Sequence, residues 1–219
     1  MAMIVIIPAY NEALKIGGII SAIRAAGDWQ ILVIDDGSAD QTATIAEMAG
    51  AVVLRHRLNR GQGAALKTGV DYASRFNFET AVFFDADGQM DPAEIRRLVD
   101  KLGQGYDVVL GSRNLGRTIT MPPLRKAVKK LALLFTRLTT GLKITDTHIG
   151  FQAWRVDALR QIRLDQDRMA HASQILSEIA RLKLKYAEAP VTISYTDYSL
   201  KKGQSGWNIF SILWDLLIK

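Results

Sequence analysis

Short apolar runs alternate with stretches of helical period through the first half of the chain, and each run stops at polar or glycine residues. Met3 to Pro8, Ile31 to Ile34, Ala51 to Leu54, Ala81 to Phe84 and Val108 to Leu110 read as strands. Leu14 to Ala25, Gln41 to Met48, Gly63 to Ser74 and Pro92 to Leu102 read as helices. Such alternation predicts an α/β fold with a mostly parallel sheet, right-handed crossovers and flanking helices. Ligands of such a sheet gather at the carboxyl ends of its strands. That rule selects Pro8 to Glu12, Asp35 to Asp40, Asp85 to Gln89 and Gly111 to Arg113.

The pattern changes after Arg117. From Met121 to about Thr139, Leu124, Val128, Leu131, Phe135 and Leu138 fall on one helical face, with Arg125, Lys126, Lys129, Lys130 and Arg137 largely off it. Two arrangements suit such a helix: lying on a membrane surface, or packed on the domain with its lysines in water. Beyond Gly141 and the polar run Thr145 to His148, Phe151 to Ile162 and Ala172 to Leu184 read as helices and Val191 to Tyr195 as a strand. The apolar tail Trp207 to Lys219 is too short to span a bilayer, and it invites a membrane surface, a small membrane partner or a second copy of the chain.

Charge divides the chain as sharply as hydropathy does. Residues 1 to 110 carry 10 Lys and Arg against 14 Asp and Glu, and residues 111 to 219 carry 18 against 8. The second half therefore seeks anions. Nucleic acid is the poorer candidate, because no aromatic interleaving or nucleic-acid motif accompanies the basic residues. The absence of cysteine excludes disulfides and thiolate metal sites, and three widely scattered histidines disfavour zinc hydrolase chemistry. The opening MAMIVIIPAYNE has no basic leader, and no stretch reaches the length of a membrane span, which points to a cytoplasmic protein.

Two acids one residue apart, Asp85 and Asp87, stand where the run Ala81 to Phe84 opens into a loop. Hard divalent cations take oxygen ligands, and magnesium is usually held by one or two carboxylates together with phosphates and water. Gln89 offers a further carbonyl oxygen. The same acids also suit a turn and the helix start after Asp91 and Pro92. Dinucleotide binding by a glycine-rich first turn is disfavoured, since PAYNE stands there. GQGAALKT, Gly61 to Thr68, misses a phosphate-binding loop by having Leu66 in place of glycine and by following Asn59 and Arg60 rather than a strand.

IIPAYNE, DDGSADQT from Asp35 to Thr42 and DADGQ starting 50 residues after Asp35, together with NRGQGAALKTG, GYDVVLGSR, DTHIGFQA and KGQS, stand in an order that resembles the family 2 glycosyltransferases of the GT-A fold, in the branch of dolichyl-phosphate mannose synthase. The likeness covers nearly the whole chain. It implies one GT-A domain over residues 1–219, with a nucleotide-sugar half, 1–113, and an acceptor-side half, 114–219. It implies that Pro8, Tyr10 and Glu12 line the base and ribose pocket, that Asp35 accepts a hydrogen bond from the base, and that Asp36 orders the same loop. Asp85 then faces ribose or metal, Asp87 and Gln89 complete the coordination of Mg2+ or Mn2+, and Gly61 admits the nucleotide close to the backbone. Arg113 is placed to bond a donor or acceptor phosphate, and Lys201 and Lys202 to close over the diphosphate. Asp146 is the candidate base for a hydroxyl acceptor, or an orienting group if the acceptor is a lipid phosphate.

The implied reaction is an inverting transfer of one sugar from a UDP- or GDP-linked donor to a polyprenyl phosphate or lipid-linked glycan at the inner membrane face, in cell-envelope synthesis. Departures from the pattern bear on the acceptor. Ile149 and Gln152 stand where the branch often has Ser and Arg, with His148 and Arg155 as possible substitutes, and Leu200 and Gly206 replace a basic pair around KGQS. Two alternatives stand beside this reading: a nucleotidyltransferase, and a non-catalytic nucleotide-sugar-binding module.

Overall fold

The computed structural model describes residues 2–119, 123–147, 150–165 and 171–194. Lys201, Lys202, His148, Ile149 and the apolar tail lie outside the described residues. Seven strands form one sheet: β1 (Met3–Ala9), β2 (Gln30–Asp35), β3 (Val52–Arg55), β4 (Thr80–Phe83), β5 (Val108–Ile119), β6 (Gln152–Arg155) and β7 (Tyr186–Ser194), in the order β3-β2-β1-β4-β6-β5-β7. Helices α1 (Ile16–Ala26), α2 (Thr42–Met48), α3 (Gln62–Arg75) and α4 (Ile95–Leu102), the last preceded by a 3-10 turn at Pro92–Glu94, fill the crossovers of the first half. The second half adds α5 (Pro123–Thr140), α6 (Val156–Leu159) and α7 (His171–Arg181).

All seven residues of β1 are buried, as expected of a strand covered on both faces. Val5, Ile7, Val33, Val82 and Phe84 pack with Ile16, Ile20, Ile23, Ile95 and Leu98 on one side of the sheet. Ile4, Ile6, Leu32, Phe83 and Trp154 pack with Ala65, Leu66, Val70, Ile175 and Ile179 on the other. Full burial of each such side chain contributes roughly 1.5–3 kcal/mol.

Two expectations need correction. The segment after Phe151 is not one helix: Gln152–Arg155 form β6, antiparallel to both β4 and β5, and only Val156–Leu159 turn helical. Its first three residues are all buried, so no period distinguishes strand from helix there. Arg155 pairs with Thr80 while Gln152 pairs with Phe83, which sends Arg155 to the sheet edge opposite Asp85 and removes it as a stand-in on the acceptor side. Of the two arrangements open to α5, the described part of its stripe, Leu131, Phe135 and Leu138, takes the outward one. Thr136 is buried and Leu133 packs on the core, whereas Leu131 and Leu138 are 67% and 76% exposed, and Leu134 and Phe135 are exposed as well.

Candidate active site

The carboxyl ends of the parallel strands β1, β2 and β4 come out at one edge, and the register Ala9 with Asp35 sets their loops side by side. These loops are joined by bonds that explain their polar residues. The Asn11 amide donates to Ser38 Oγ at 2.9 Å, the Glu12 amide to Thr42 Oγ1 at 2.8 Å, and the Ala39 amide to Asn11 Oδ1 at 2.9 Å. PAYNE and DDGSADQT are thus two halves of one fastening.

Asp35 is fully buried, and its Oδ1 accepts from the Ser38 amide at 3.0 Å. Its Oδ2 lies 3.0 Å from Arg55 Nε, but no donor is aligned on it as a hydrogen bond. The distance records attraction and the missing alignment records an unused acceptor. Such an oxygen suits an incoming N–H. Asp36 is turned the other way: it accepts from the Gly61 amide at 2.7 Å, from the Arg60 amide at 3.0 Å, and lies 2.7 Å from His56 Nδ1. His56 Nε2 in turn meets Thr68 Oγ1 at 2.9 Å. Asp36 therefore holds the turn that starts α3, where Gly61 has φ 99°, a conformation that favours glycine.

Asp85 accepts from Gln62 Nε2 at 2.9 Å, and Asp87 Oδ1 accepts from the Gln89 amide at 2.9 Å. The Asp85 carboxyl is pushed up to about 7, by burial first, then by the neighbouring Asp87 and, less strongly, Glu12, with the Gln62 bond opposing them. Three acids are crowded together here, and each disfavours the charge of the next. Among the described residues no cluster of three or more acidic or histidine side chains is arranged to cage a metal by itself. A cation here would draw the rest of its shell from substrate and water, which is the habit of magnesium.

The acceptor-side residues predicted from sequence meet at the same edge. Asp146 Oδ2 accepts from Arg113 Nε at 2.8 Å and from the Arg113 amide at 3.0 Å, and Oδ1 accepts from Arg113 Nη2 at 2.7 Å and the Thr147 amide at 2.8 Å. The two side chains are only 9% and 6% exposed. Asp146 is thus engaged on both oxygens. The structure also brings in residues the sequence did not single out. Gln62 holds Asp85, His56 backs Asp36, and Gly150 packs so tightly on Asp85 that a Cβ there would overlap both carboxylate oxygens. Gln152 is buried and accepts from Trp154 Nε1 at 2.9 Å.

Residues 4–163 match the family model described as glycosyl transferase family 2. The chain is a family 2 glycosyltransferase. This glycosyltransferase is 35% identical to the polyprenol monophosphomannose synthase of Mycolicibacterium smegmatis, over 94% of the chain and 82% of that relative. It is 30% identical to the UDP-N-acetylglucosamine–dolichyl-phosphate N-acetylglucosaminyltransferase of Methanococcus voltae, over 97% of the chain and 94% of that relative. Among solved structures it resembles glucosyl-3-phosphoglycerate synthase of Mycobacterium tuberculosis, crystallised with Mn2+, UDP and glucosyl-3-phosphoglycerate. That likeness has a TM-score of 0.74 at 21% identity and covers 98% of this chain and 79% of that one. It establishes the GT-A fold of the glycosyltransferase.

Proposed function

We propose that this glycosyltransferase moves one sugar from a nucleoside-diphospho-sugar to a polyprenyl phosphate, with inversion at the anomeric carbon. The observation that carries the reading is Gly150 against Asp85: the acceptor-side loop lies directly on the acidic donor-side group. Relatives whose printed names specify polyprenol or dolichyl phosphate acceptors support the choice of acceptor.

A lipid phosphate oxygen attacks the anomeric carbon, forming the new carbon–oxygen bond as the bond to the diphosphate breaks. The nucleophile is already an anion, so no proton has to be removed. This fits Asp146, whose carboxylate is held by Arg113 and is poorly placed to act as a base. Asp146 instead orients Arg113, and the guanidinium supplies positive charge for a phosphate. On the donor side, Pro8, Tyr10 and Glu12 border the base and ribose, Asp35 offers its unused oxygen to the base, and Asp36 fixes Gly61. Asp85, Asp87 and Gln89 would hold Mg2+ or Mn2+, and such an ion stabilises the charge that develops on the leaving diphosphate.

The reading includes a peripheral position on the membrane. No helix among the described residues is long and apolar enough to cross a bilayer. The outward apolar stripe of α5, on a helix with Arg125, Lys126, Lys129, Lys130 and Arg137 and no acid, suits an anionic lipid surface.

The test is transfer from GDP-mannose, UDP-glucose and UDP-N-acetylglucosamine to undecaprenyl phosphate in detergent with Mn2+, in wild type and Asp87→Ala. Metal-dependent product from one donor, lost in the folded variant, supports the reading. Release of pyrophosphate from a nucleoside triphosphate, or nucleotide binding with no transfer to this acceptor, sinks it.

A further inference from the structure

The segment from Lys143 to Asp146, which follows α5 and delivers Asp146 to Arg113, is bonded through its backbone to side chains of β7. The Lys143 amide donates to Tyr186 Oη at 2.7 Å. The Thr145 amide donates to both oxygens of Glu188, at 2.8 and 2.9 Å, and the Asp146 amide reaches Glu188 Oε1 at 3.3 Å. Tyr186 and Glu188 are two apart on a strand and so share one face, as the spacing of Lys143 and Thr145 requires.

The hydroxyls around this carboxylate have a defined order. Thr145 Oγ1 donates to Glu188 Oε1 at 3.0 Å, so its lone pairs are left to accept from Ser112 Oγ at 2.7 Å. Ser112 directly precedes Arg113 on β5. The last turn of α5 joins in, because Arg137 Nε donates to the Ile144 carbonyl at 2.7 Å. Glu188 accepts all of these bonds from donors of the 145–146 segment.

We propose that Glu188, with Tyr186, is a positioning residue for the acceptor side: it fixes the 143–146 segment in the one setting where Asp146 grips Arg113 from both oxygens. Both act through the backbone of that segment. Without Glu188 the Thr145 and Asp146 amides lose their acceptor, the segment shifts, and Arg113 loses its aim while the donor-side loops stay as they were. The proposal rests on the polyprenyl-phosphate reading for its effect on transfer, and on geometry alone for its effect on the Arg113–Asp146 pair.

Residue-resolved amide exchange separates the two. The Arg113 and Thr147 amides bond Asp146 and not Glu188, so a merely local prop would leave them unmoved. In Glu188→Ala both should exchange about tenfold faster, the protection that one hydrogen bond supplies. Transfer to undecaprenyl phosphate should fall about 100-fold, as a misplaced positioning group causes. Stabilisation by UDP or GDP with Mn2+ should be unchanged, and Glu188→Gln, which keeps an acceptor oxygen, should recover most of the transfer. Unchanged exchange at Arg113 and Thr147, or equal losses of transfer and nucleotide stabilisation, overturns the proposal. If Glu188→Ala does not fold, Tyr186→Phe replaces it: faster exchange at Lys143 and weaker transfer with intact nucleotide stabilisation support the positioning role, and no change in either overturns it. Faster Arg113 exchange in a protein whose wild type transfers no sugar upholds the positioning role and overturns the acceptor reading.

Discussion

Gly150 has no room for a side chain because the carboxylate of Asp85 occupies the place where its Cβ would be. Gly150→Ala should therefore displace either the acceptor loop or the acid. Because the clash is local, the expected result is a folded protein with transfer reduced about 100-fold, the scale of a small misplacement at a reacting centre. Steady-state kinetics together with a thermal melt check both halves of that statement.

The raised carboxyl of Asp85 gives a pH dependence of definite sign. Its value of about 7 in the folded protein lies above the ordinary 3.8, so the folded state takes up the proton more readily than the unfolded one. The resulting stability is complete below the ordinary value and is lost as pH rises through about 7. In the absence of metal, wild type should lose more stability than Asp85→Asn between pH 5 and about 8, measured by urea titration. Mn2+ with UDP or GDP competes with that proton, so its stabilisation of wild type should grow over the same interval. A metal response that is flat in pH would separate Asp85 from the cation.

Asp36 satisfies the amides of Arg60 and Gly61, and its loss leaves donors without an acceptor beneath the start of α3. Asp36→Ala should cost about 3 kcal/mol in unfolding free energy, the upper range for an orphaned buried partner. It should also weaken nucleotide stabilisation by loosening Gly61. Denaturant unfolding with and without UDP and GDP reads both effects.

Leu131 and Leu138 stand in the solvent on α5. Replacing each with Glu should leave stability within about 0.5 kcal/mol, as surface changes do. Binding to phosphatidylglycerol vesicles, followed by co-sedimentation, should be lost if this stripe meets the bilayer. Undiminished binding would move the membrane contact elsewhere.

The acidic edge of the sheet was legible in the chain because its strands are continuous apolar runs that end abruptly in acids. Asp35, Asp36, Asp85 and Asp87 were found by that break alone, and the parallel register then set their loops at one edge. Arg113 and Asp146 were each selected, but their pairing was not, since 33 residues separate them and nothing local records it. Glu188 was missed for the same reason: its partners lie 42 and 43 residues away. The strand β6 was misread because its first three residues are all buried and carry no period. The apolar stripe on α5 was correctly read as a stripe, but amphipathicity does not say which side faces the protein.

The reversed direction of β6 has one more consequence. Leu110 on β5 and Gln152 on β6 are register partners, so the chain, after running on beside β7 as far as Ile119 and through α5, returns to a position next to the one it passed at Leu110. Everything between, including α5 and the Asp146 segment, is an excursion whose two ends are side by side. Its return carries Gly150 onto Asp85 and Phe151 onto Phe84, so an exchanged excursion has to keep those last two residues to leave the acids where they are. On the proposed reading, a fold wired in this way varies its recipient by this excursion alone, and grafting another enzyme's excursion between these two points tests that.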